Sequence, residues 1–398
     1  MSWRLKRSYV VLLILAVMVF LFFGLPNIIN EEERQVFNRA RRIEKVIEKA
    51  SEYERKDSIK TVISDFYKTS TLGELMLGEH HRALWSEKVK LPVFKGMDSL
   101  TFVKIGGGQQ TTSVELKSIS KKRYSFRSVN KDNSNALPVF LRASFIRPFI
   151  RDQASALNPY SGPVVAELLE ALNIQHPTPI IYYLPYNQGS DSTNAVLGGE
   201  VVTLAEELHK KWAEDVRFDR PDKILNTDDM FVLKQKGEIE IDRQLYIRCR
   251  LFDFLLSDWD RHERQWKWGL YGRIAQPIPI DRDMAFCKFN DGWASKIVRV
   301  FNNKFQSFDK NEFNIKGLTR NSLPLDIKIL RGYDQRNFLE EVQYIMRKLN
   351  SSTVAKAFDA YPPEIHGLIG EDHISTFNHR LERLDMAASD FYELINQN

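Results

Sequence analysis

The sequence is poor in cysteine and has no strong excess of charge of either sign. Cys249 and Cys287 are its only cysteines, which excludes a disulfide framework and a zinc site built from thiolates. Lys and Arg number 57 against 52 Asp and Glu, a net charge of only +5 over 398 residues. Three of those positive charges (Arg4, Lys6 and Arg7) lie at the extreme N-terminus. Because nucleic-acid-binding proteins concentrate more basic charge on one face, we predict no nucleic-acid partner.

Internal repeats and low-complexity tracts are also missing. Apolar residues make up 43% of the chain and charged residues 27%, which excludes collagen-like, mucin-like and wholly disordered classes. A chain of this length can bury a large core in two or three domains or in one two-lobed unit.

One long apolar run lies near the N-terminus. No charged residue occurs between residues 8 and 30, and residues 9–25 are almost continuously apolar, enough for a helix to cross a ~30 Å hydrocarbon core. Basic residues precede the run, and Glu31, Glu32 and Glu33 follow it, which favours a cytoplasmic N-terminus. We predict a single-pass membrane protein whose bulk is extracytoplasmic, in a bacterial inner membrane facing the periplasm. A cleaved signal peptide and a buried core helix are the alternatives.

Hydrophobic periodicity divides the chain into four regions. Residues 1–30 are the predicted membrane segment, and residues 31–71 are a predicted amphipathic helical stalk. Residues 72–208 are β-rich, with strand patterns at 113–116, 124–129, 180–184 and 200–204 and a helix at 164–174. Residues 209–398 are mainly helical, with helices at 243–256, 335–349 and 373–395. The fold class we predict is α+β, a small β-rich lobe followed by a larger helical lobe.

Two acidic clusters carry the strongest chemical signal. The helix predicted at 243–256 is followed by Asp258, Asp260, Arg261, His262 and Glu263, and about twenty residues later a short apolar strand ends at Asp281 and Asp283. Carboxylate oxygens are the preferred ligands of Mg²⁺, so the two clusters could converge on one cation or one phosphoryl group. The structural alternative is that Asp258, Arg261 and Asp283 form ion pairs that cap a helix and a turn.

A glycine-rich segment precedes both clusters. Gly106, Gly107 and Gly108, followed by Gln109, lie between predicted strands, where backbone N–H groups can approach phosphate oxygens closely. An ordinary hairpin turn would also explain the glycines. The order of parts is a glycine loop, a strand with a cation, a helix with acids, Asp-Arg-His and then a strand-borne Asp. Kinase-type phosphoryl transfer uses the same order.

These motifs resemble the atypical protein-kinase-like families, which include the secretory-pathway casein kinases, HipA toxins, phosphatidylinositol kinases and spore-coat CotH kinases. The resemblance rests on residues 260–262 and 280–286 and implies a bilobal kinase-like fold. Most of the chain after residue 72 also resembles a bacterial cell-envelope region that is sometimes attached to calcineurin-like phosphoesterase or outer-membrane domains. The residues that carry this second resemblance are 106–111, 124–132, 151–153, 159–160, 258–268 and 281–286.

The kinase resemblance implies roles for individual residues. Asp260 corresponds to the catalytic base, with His262 beside it, and Asp281 corresponds to the metal ligand. Gln265 falls where those families place a second ligand, although a neutral amide is a weaker one, and Asp283 is a further candidate ligand. The implied cofactors are ATP or another nucleotide and Mg²⁺ or Mn²⁺.

The nucleotide-binding assignments leave alternatives open. The strand cation is either Arg127 or Lys131, and a planar guanidinium is not equivalent to an ammonium group. Its acidic partner is Asp152, Glu167 or Glu170. Glu206 and Glu207 lie where a hinge between the lobes could contact an adenine ring, and residues 106–111 would cover the phosphates.

The leading functional prediction is a membrane-anchored, kinase-like phosphotransferase acting on a protein, glycan or lipid acceptor. Free ATP is scarce outside the bacterial cytoplasm, so a non-catalytic, pseudokinase-like scaffold that binds an envelope protein is the first alternative. A metal-dependent phosphoester hydrolase using Asp258, Asp260, His262, Asp281 and Asp283 is the second. We assign structural roles to the remaining notable side chains, which are His80, His81, Cys249, Trp259, Trp266 and Trp268.

Overall fold

A computed structural model describes residues 2–21, 52–107, 111–144, 146–186, 190–208 and 221–397. Its strands are β1 (Ser58–Thr61), β2 (Val89–Pro92), β3 (Leu100–Gly106), β4 (Ser113–Ser118), β5 (Arg123–Ser128), β6 (Ile180–Leu184), β7 (Glu200–Glu206), β8 (Lys223–Leu225), β9 (Glu240–Ile241), β10 (Trp266–Tyr271) and β11 (Ile274–Pro279). The first helices are α1 (Ser2–Val19), α2 (Thr71–Leu77), α3 (Arg82–Ser86), α4 (Ile146–Asp152), α5 (Ser161–Ala171), α6 (Asp191–Leu197), α7 (Thr227–Gln235) and α8 (Arg243–Leu256). The remaining helices are α9 (Trp293–Phe301), α10 (Ile315–Leu318), α11 (Leu323–Leu330), α12 (Gln335–Lys348), α13 (Ser351–Phe358), α14 (Pro363–Ile365), α15 (Glu371–Leu381) and α16 (Leu384–Asn396).

The first half of the chain builds a five-stranded antiparallel sheet with the order β3-β4-β5-β7-β6. Phe126 on β5 lies opposite Val114 on β4 and Leu204 on β7, and these side chains contribute to an apolar core on one face of the sheet. Because side chains alternate along a strand, Ser125 and Arg127 point to the other face. That second face is turned toward the rest of the molecule.

The larger core joins α5 to the helices of the second half of the chain. Val164 and Leu168 on α5 are buried together with α8 and the C-terminal helices, and α5 packs on α13. A second sheet, with the order β8-β10-β11-β9, lies beside α8. Trp266 and Trp268 of β10 are buried against Tyr246 of α8, with ring centroids 4.9 and 6.0 Å away. The predicted α+β class and the structural role of these tryptophans are confirmed.

Several predicted elements agree with the structure, and two do not. The strand at 180–184 and the helix at 243–256 have the predicted limits, whereas the single helix predicted at 373–395 is divided between α15 and α16. The helical stalk is also interrupted, because residues 58–61 form β1 and pair with β2; residues 31–51 of that prediction lie outside the described residues. β1 and β2 satisfy each other's backbone groups, whereas a helix at 58–61 would leave the β2 backbone without this partner.

The predicted membrane segment overlaps α1. In the parts of the chain that the structure describes, no helix is both long enough and apolar enough to cross a membrane. Residues 22–25 of the predicted segment lie outside those parts.

Candidate active site

A cavity of about 610 Å³ lies between the five-stranded sheet and the second half of the chain. Its upper wall is the second face of the sheet, including Ser125, Arg127 and Thr203, and α5 closes its back through Val165 and Leu169. Residues that follow β11 form its lower wall. The sequence-predicted residues that line it are Arg127, Lys131, Glu206, Gln265, Asp281 and Asp283.

Asp281 and Asp283 bring two carboxylates to the lower wall of this cavity. Their side chains are 28% and 44% exposed, and they are close enough to share a hydrogen bond. Asp281 has a left-handed backbone, with φ of 58°, a conformation that Asp adopts more readily than most residues. The turn separates the two carboxylates from Arg282, whose guanidinium lies in the protein interior.

Two cations from the first half of the chain face these carboxylates. Lys131 Nζ lies 2.5 Å from Asp283 Oδ2, and Arg127 Nη1 lies 3.9 Å from Asp281 Oδ2. The Lys131 side chain is 10% exposed and the Arg127 side chain 53%, so Lys131 is the deeper cation. Both alternatives for the strand cation therefore reach the site, on different carboxylates.

The pKa values of the two carboxyl groups are shifted in opposite directions. Burial, reinforced by the neighbouring Asp283 charge, raises the pKa of Asp281 above its ordinary value. Burial also acts to raise the pKa of Asp283, but the Lys131 ammonium outweighs it and holds that pKa below the ordinary value. Asp283 is thus the more firmly ionised member of the pair.

Arg261 of the Asp-Arg-His segment fixes the backbone beneath the cavity. It is fully buried, and its Nη1 donates to the carbonyl oxygens of Ile280 and Asp281 at 2.7 and 2.8 Å. Its Nη2 donates to the Gln265 carbonyl at 2.9 Å, and Trp266 packs on the guanidinium. One side chain thereby holds the left-handed turn at Asp281 against the loop that follows α8.

A network of buried charges lies behind Arg261. Asp253 on α8 contacts the guanidinium groups of Arg250, Arg261 and Arg282. Asp326 accepts from Arg250 Nε at 3.0 Å and from the Tyr246 hydroxyl at 2.7 Å. The sequence analysis missed this network, although charged Arg250 and Asp253 in the apolar second half of α8 were a usable signal, since buried charges are almost always paired.

Asp258 belongs to this network and does not reach the cavity. It is 1% exposed, lies 3.3 Å from Arg282 and 4.0 Å from Arg261, and burial raises its pKa to about 7. Its predicted use as a metal ligand in a hydrolase is therefore wrong, because its carboxylate is enclosed by two arginines. The structural alternative, an ion pair with Arg261, is the arrangement found.

The predicted catalytic residues Asp260 and His262 do not line the cavity. Asp260 Oδ1 accepts a hydrogen bond from Asn321 Nδ2 at 2.8 Å. His262 caps the short turn that follows it, its Nδ1 accepting from the Arg264 backbone N–H at 3.2 Å. Asp260 directly precedes Arg261, whose guanidinium donates to the carbonyl oxygens of Ile280 and Asp281. Asp260 is therefore one residue away from the side chain that fixes the turn at Asp281.

The glycine-rich segment connects β3 to β4 at the upper edge of the sheet. Gly106 pairs with Ser113, and Gly107 has φ of +127° and lies so close to Thr111 that a Cβ atom would be 2.4 Å from the Thr111 carbonyl oxygen. Thr111 lines the cavity, whereas Gly106 and Gly107 do not. The predicted residues Gly108 and Gln109 lie outside the described residues.

Of the remaining predicted residues, Gln265 and Glu206 line the cavity, and the candidate acidic partners of the strand cation do not. Gln265 Nε2 donates to Asp281 Oδ2 at 3.4 Å, so its amide would have to turn before its oxygen could bind a metal. Glu206 lines the cavity at the end of β7 and lies 3.8 Å from Lys122. Of the three candidate acidic partners, Asp152 instead forms a two-pronged ion pair with Arg82, and Glu167 is exposed.

A divalent cation fits the carboxylates of the lower wall. Asp281 and Asp283 supply hard oxygen donors at the edge of a water-accessible cleft, which suits a cation such as Mg²⁺ that keeps several waters and binds substrate phosphates. Among the residues that the structure describes, no cluster of three or more His, Cys, Asp or Glu side chains could hold a metal ion by itself.

His80, His81 and His373 form a buried cluster under the segment that follows Asp281. His81 Nε2 bonds to the Phe286 carbonyl at 2.8 Å, and His80 lies between the Ser155 and Ser295 hydroxyls. Burial lowers the pKa of both His80 and His81 to about 4. The structural role predicted for His80, His81 and Cys249 is confirmed, because all three are buried and both histidines are hydrogen-bonded.

The fold is similar to several solved structures. The Helicobacter pylori proinflammatory kinase CtkA is 12% identical, and the match covers 75% of this chain and 99% of that chain with a TM-score of 0.39. Hydra Fam20 with sugar is 12% identical over 75% of this chain and 87% of that chain, with a TM-score of 0.42. The Golgi casein kinase with Mn and ADP bound is 10% identical over 90% of each chain, with a TM-score of 0.39.

No protein-family model matches the chain, and neither does any curated protein sequence. The similar structures include the casein kinases to which the sequence motifs were compared, so the neighbours are consistently kinase-like. At identities of 10–12% and TM-scores of 0.39–0.42, this likeness assigns no activity to the chain.

Proposed function

We propose that the chain is a bilobal, kinase-like phosphotransferase and that the cavity between its lobes binds a nucleotide with Mg²⁺ or Mn²⁺. The observation that carries this proposal is the meeting of Lys131 and Arg127 from one lobe with Asp281 and Asp283 from the other. Cations that bind phosphate oxygens and carboxylates that bind a divalent ion are both needed to neutralise a transferring phosphoryl group.

Each of these side chains has a distinct role in the proposed reaction. Asp281 and Asp283 would hold the cation, which supplies positive charge next to the transferred phosphoryl group. Lys131 and Arg127 would bind phosphate oxygens, Lys131 exchanging its ion pair with Asp283 for one with the nucleotide. Asp260 would orient the acceptor hydroxyl and accept its proton, and Arg261 would hold Asp260 and Asp281 in register through the backbone.

A thermal-shift measurement on the full chain tests the proposal. Mg²⁺ or Mn²⁺ with ATP or GTP should stabilise the parent by about 2.7 kcal/mol at a hundredfold excess over Kd. Asp281→Asn and Lys131→Met should each lose most of that gain, because the first removes a charged ligand of the cation and the second removes a positive charge that would bind phosphate oxygens. Asp359→Asn and Lys356→Met, at exposed positions of the helical lobe, are the matched controls. Equal shifts in the site variants and in the parent would refute the site.

A non-catalytic, pseudokinase-like scaffold is the second candidate. It is favoured by the position of Asp260 and His262 away from the cavity lining and by the Gln265 amide, which donates to Asp281. An envelope protein would then be the partner. Nucleotide binding without measurable phosphoryl transfer to any acceptor would distinguish this candidate from the enzyme.

We also propose that residues 9–25 anchor the chain in a membrane with the N-terminus in the cytoplasm. The sequence pattern supports this, as does the exposure of the apolar side chains of α1, such as Tyr9 at 68% and Leu13 at 65%. A topology reporter fused after Asn398 should be active only outside the cytoplasm. Activity only in the cytoplasm would exclude this orientation.

A further inference from the structure

Helices α2 and α9 form a pair on the surface of the molecule, away from the cavity. They pack on each other, and Gly78 at the end of α2 abuts Gly292 at the start of α9. A Cβ atom on Gly292 would lie 2.3 Å from the Gly78 nitrogen, so the two backbones are in direct contact. Asp291 stabilises this contact between the two helices, because its carboxylate accepts a hydrogen bond from the His80 backbone N–H at 2.9 Å.

This pair presents apolar side chains to solvent instead of to the core. Helix α2 has no buried residue, and on α9 only Ser295 is buried. The exposed fraction of the side chains reaches 82% for both Val300 and Phe301. We call the surface made by the following residues the apolar patch: Leu72, Leu75, Trp293, Ile297, Val300 and Phe301. An exposed apolar surface of this kind marks an interaction site.

The charges around the apolar patch identify the chemistry of its partner. Both charged residues of α9 are basic: Lys296 is exposed, whereas Arg299 is 28% exposed and contacts Glu312 at 2.9 Å. Helix α2 adds a single acid, Glu74. A short amphipathic helix with Trp and Phe on its outer face and basic residues beside them is the pattern of a helix that lies in a membrane interface. Apolar side chains enter the acyl boundary, and the exposed Lys296 side chain reaches anionic headgroups.

The position of the patch in the chain allows such contact. Residues 22–51 connect α1 to the rest of the chain, and thirty residues reach at most about 100 Å when fully extended. A body tethered by α1 can therefore turn the patch toward the same bilayer. Phe305 and Lys304, just beyond α9, pack on Trp259, whose neighbour is Asp260. The patch is thus connected to the proposed base through a short packed segment.

We propose that the apolar patch docks on the surface of a bilayer that contains anionic lipids. This contact is additional to the proposed anchor at residues 9–25 and does not depend on phosphoryl transfer. It lays α9 in the membrane interface and leaves the cavity between the lobes accessible from the aqueous side.

A fluorescent probe on the patch tests the proposal. The full chain with Val300→Cys is labelled with an environment-sensitive NBD fluorophore, and Ile119→Cys, 88% exposed at the β4–β5 turn, is the control. Both native cysteines are buried, so the parent serves as the labelling blank. Vesicles of equal parts phosphatidylglycerol and phosphatidylcholine should shift the emission at position 300 to shorter wavelength and expose it to a quencher carried on the lipid chains. The shift should weaken with phosphatidylcholine alone.

Charge substitutions provide the second arm of the experiment. With a probe at Ile297→Cys, the double change Val300→Glu and Phe301→Glu should abolish the shift. Val139→Glu with Phe140→Glu is the matched control, since these residues are also exposed, at 78% and 67%, and lie on another surface. Flotation of the chain with vesicles is measured in parallel and reports on the anchor.

Three outcomes would overturn the proposal. The first is no emission shift at position 300, and the second is an equal shift at positions 300 and 119. The third is an equal loss of the shift in the two double variants. A chain that floats with vesicles while position 300 stays in water would retain the anchor and refute the docking surface, whose partner would then be a protein.

Discussion

The side chain of Arg282 points into the protein interior, although the aspartates on either side of it in the sequence point into the cavity. Asp281 and Asp283 face the cavity, while the Arg282 guanidinium contacts Asp253 and Asp258 in the interior. The sequence identified both aspartates as candidate ligands, because they end a short apolar strand and Asp281 matches the kinase motif. The buried partners of Arg282 were not readable in this way, because Asp253 comes from α8 and Asp258 from the loop that follows it.

At the residue scale, Asp260→Ala separates catalysis from binding. General-base catalysis contributes about 10²–10⁴-fold to the rate of the chemical step, so kcat should fall by that factor. Nucleotide affinity should change by no more than a few fold, because Asp260 does not line the cavity. Turnover and nucleotide Kd are measured on the same preparation, with Asp359→Ala as the surface control. A loss of metal and nucleotide binding together would instead assign Asp260 to the metal.

At the scale of elements, sequence periodicity predicted the strands and helices that have one apolar face or a long apolar run. The helix α8 and the strand β6 have the predicted limits for this reason. The short elements β1, α2 and α9 were not predicted, since a few residues hold too little periodic pattern and tertiary pairing decides their structure. The same is true of the site: its residues were identified by motif, but the contact of Lys131 with Asp283 depends on how the lobes meet.

The junction between α2 and α9 should be sensitive to any side chain at Gly292. Gly292→Ala adds a Cβ atom 2.3 Å from the Gly78 nitrogen at a residue with φ of +75°. We expect the free energy of unfolding to fall by about 1–3 kcal/mol and α2 to become susceptible to proteolysis. Gly237→Ala is the matched control, because its φ is +74° and nothing lies within 4 Å of the added atom. Equal losses in the two variants would mean that backbone strain alone is responsible, and that the contact contributes nothing.

At the scale of the whole molecule, the two lobes are joined by apolar packing and by charge. Helix α5 lies in the chain between β5 and β6 of the first sheet, yet it is buried with α8 and the C-terminal helices. The sequence predicted this helix but assigned it to the first lobe, because chain order gives no information on which core a helix joins. The cavity lies between α5 and the sheet, so its shape depends on both cores.

The buried histidines should make the whole molecule unstable in acid. Burial lowers the pKa of His80 and His81 to about 4, and it lowers the pKa of His373 as well. The unfolded chain, with ordinary values near 6.5, binds these protons first, so stability is complete above about pH 7 and is lost as the pH falls toward 4. Between pH 7 and pH 5 we expect a loss of about 2 kcal/mol for each of His80 and His81.

Urea unfolding at a series of pH values measures this loss. In His81→Gln, the free energy of unfolding should fall less steeply between pH 7 and pH 5 than in the parent. His366→Gln, which changes a partly exposed ring, is the control and should keep the slope of the parent. A flat stability profile between pH 7 and pH 5 in the parent would show that the cluster is hydrated or already charged in the folded state.

The rates at which the two buried cysteines react report how often the folded molecule opens. Cys249 lies on α8 and Cys287 follows the Asp281 turn; both are fully buried, and burial raises the pKa of both thiols to about 12. A thiol reagent can therefore react only during a transient opening that admits water to the interior. If Cys287 reacts first, the turn that carries Asp281 opens independently of α8. If both thiols react at one rate, the turn and α8 open together as a single cooperative unit.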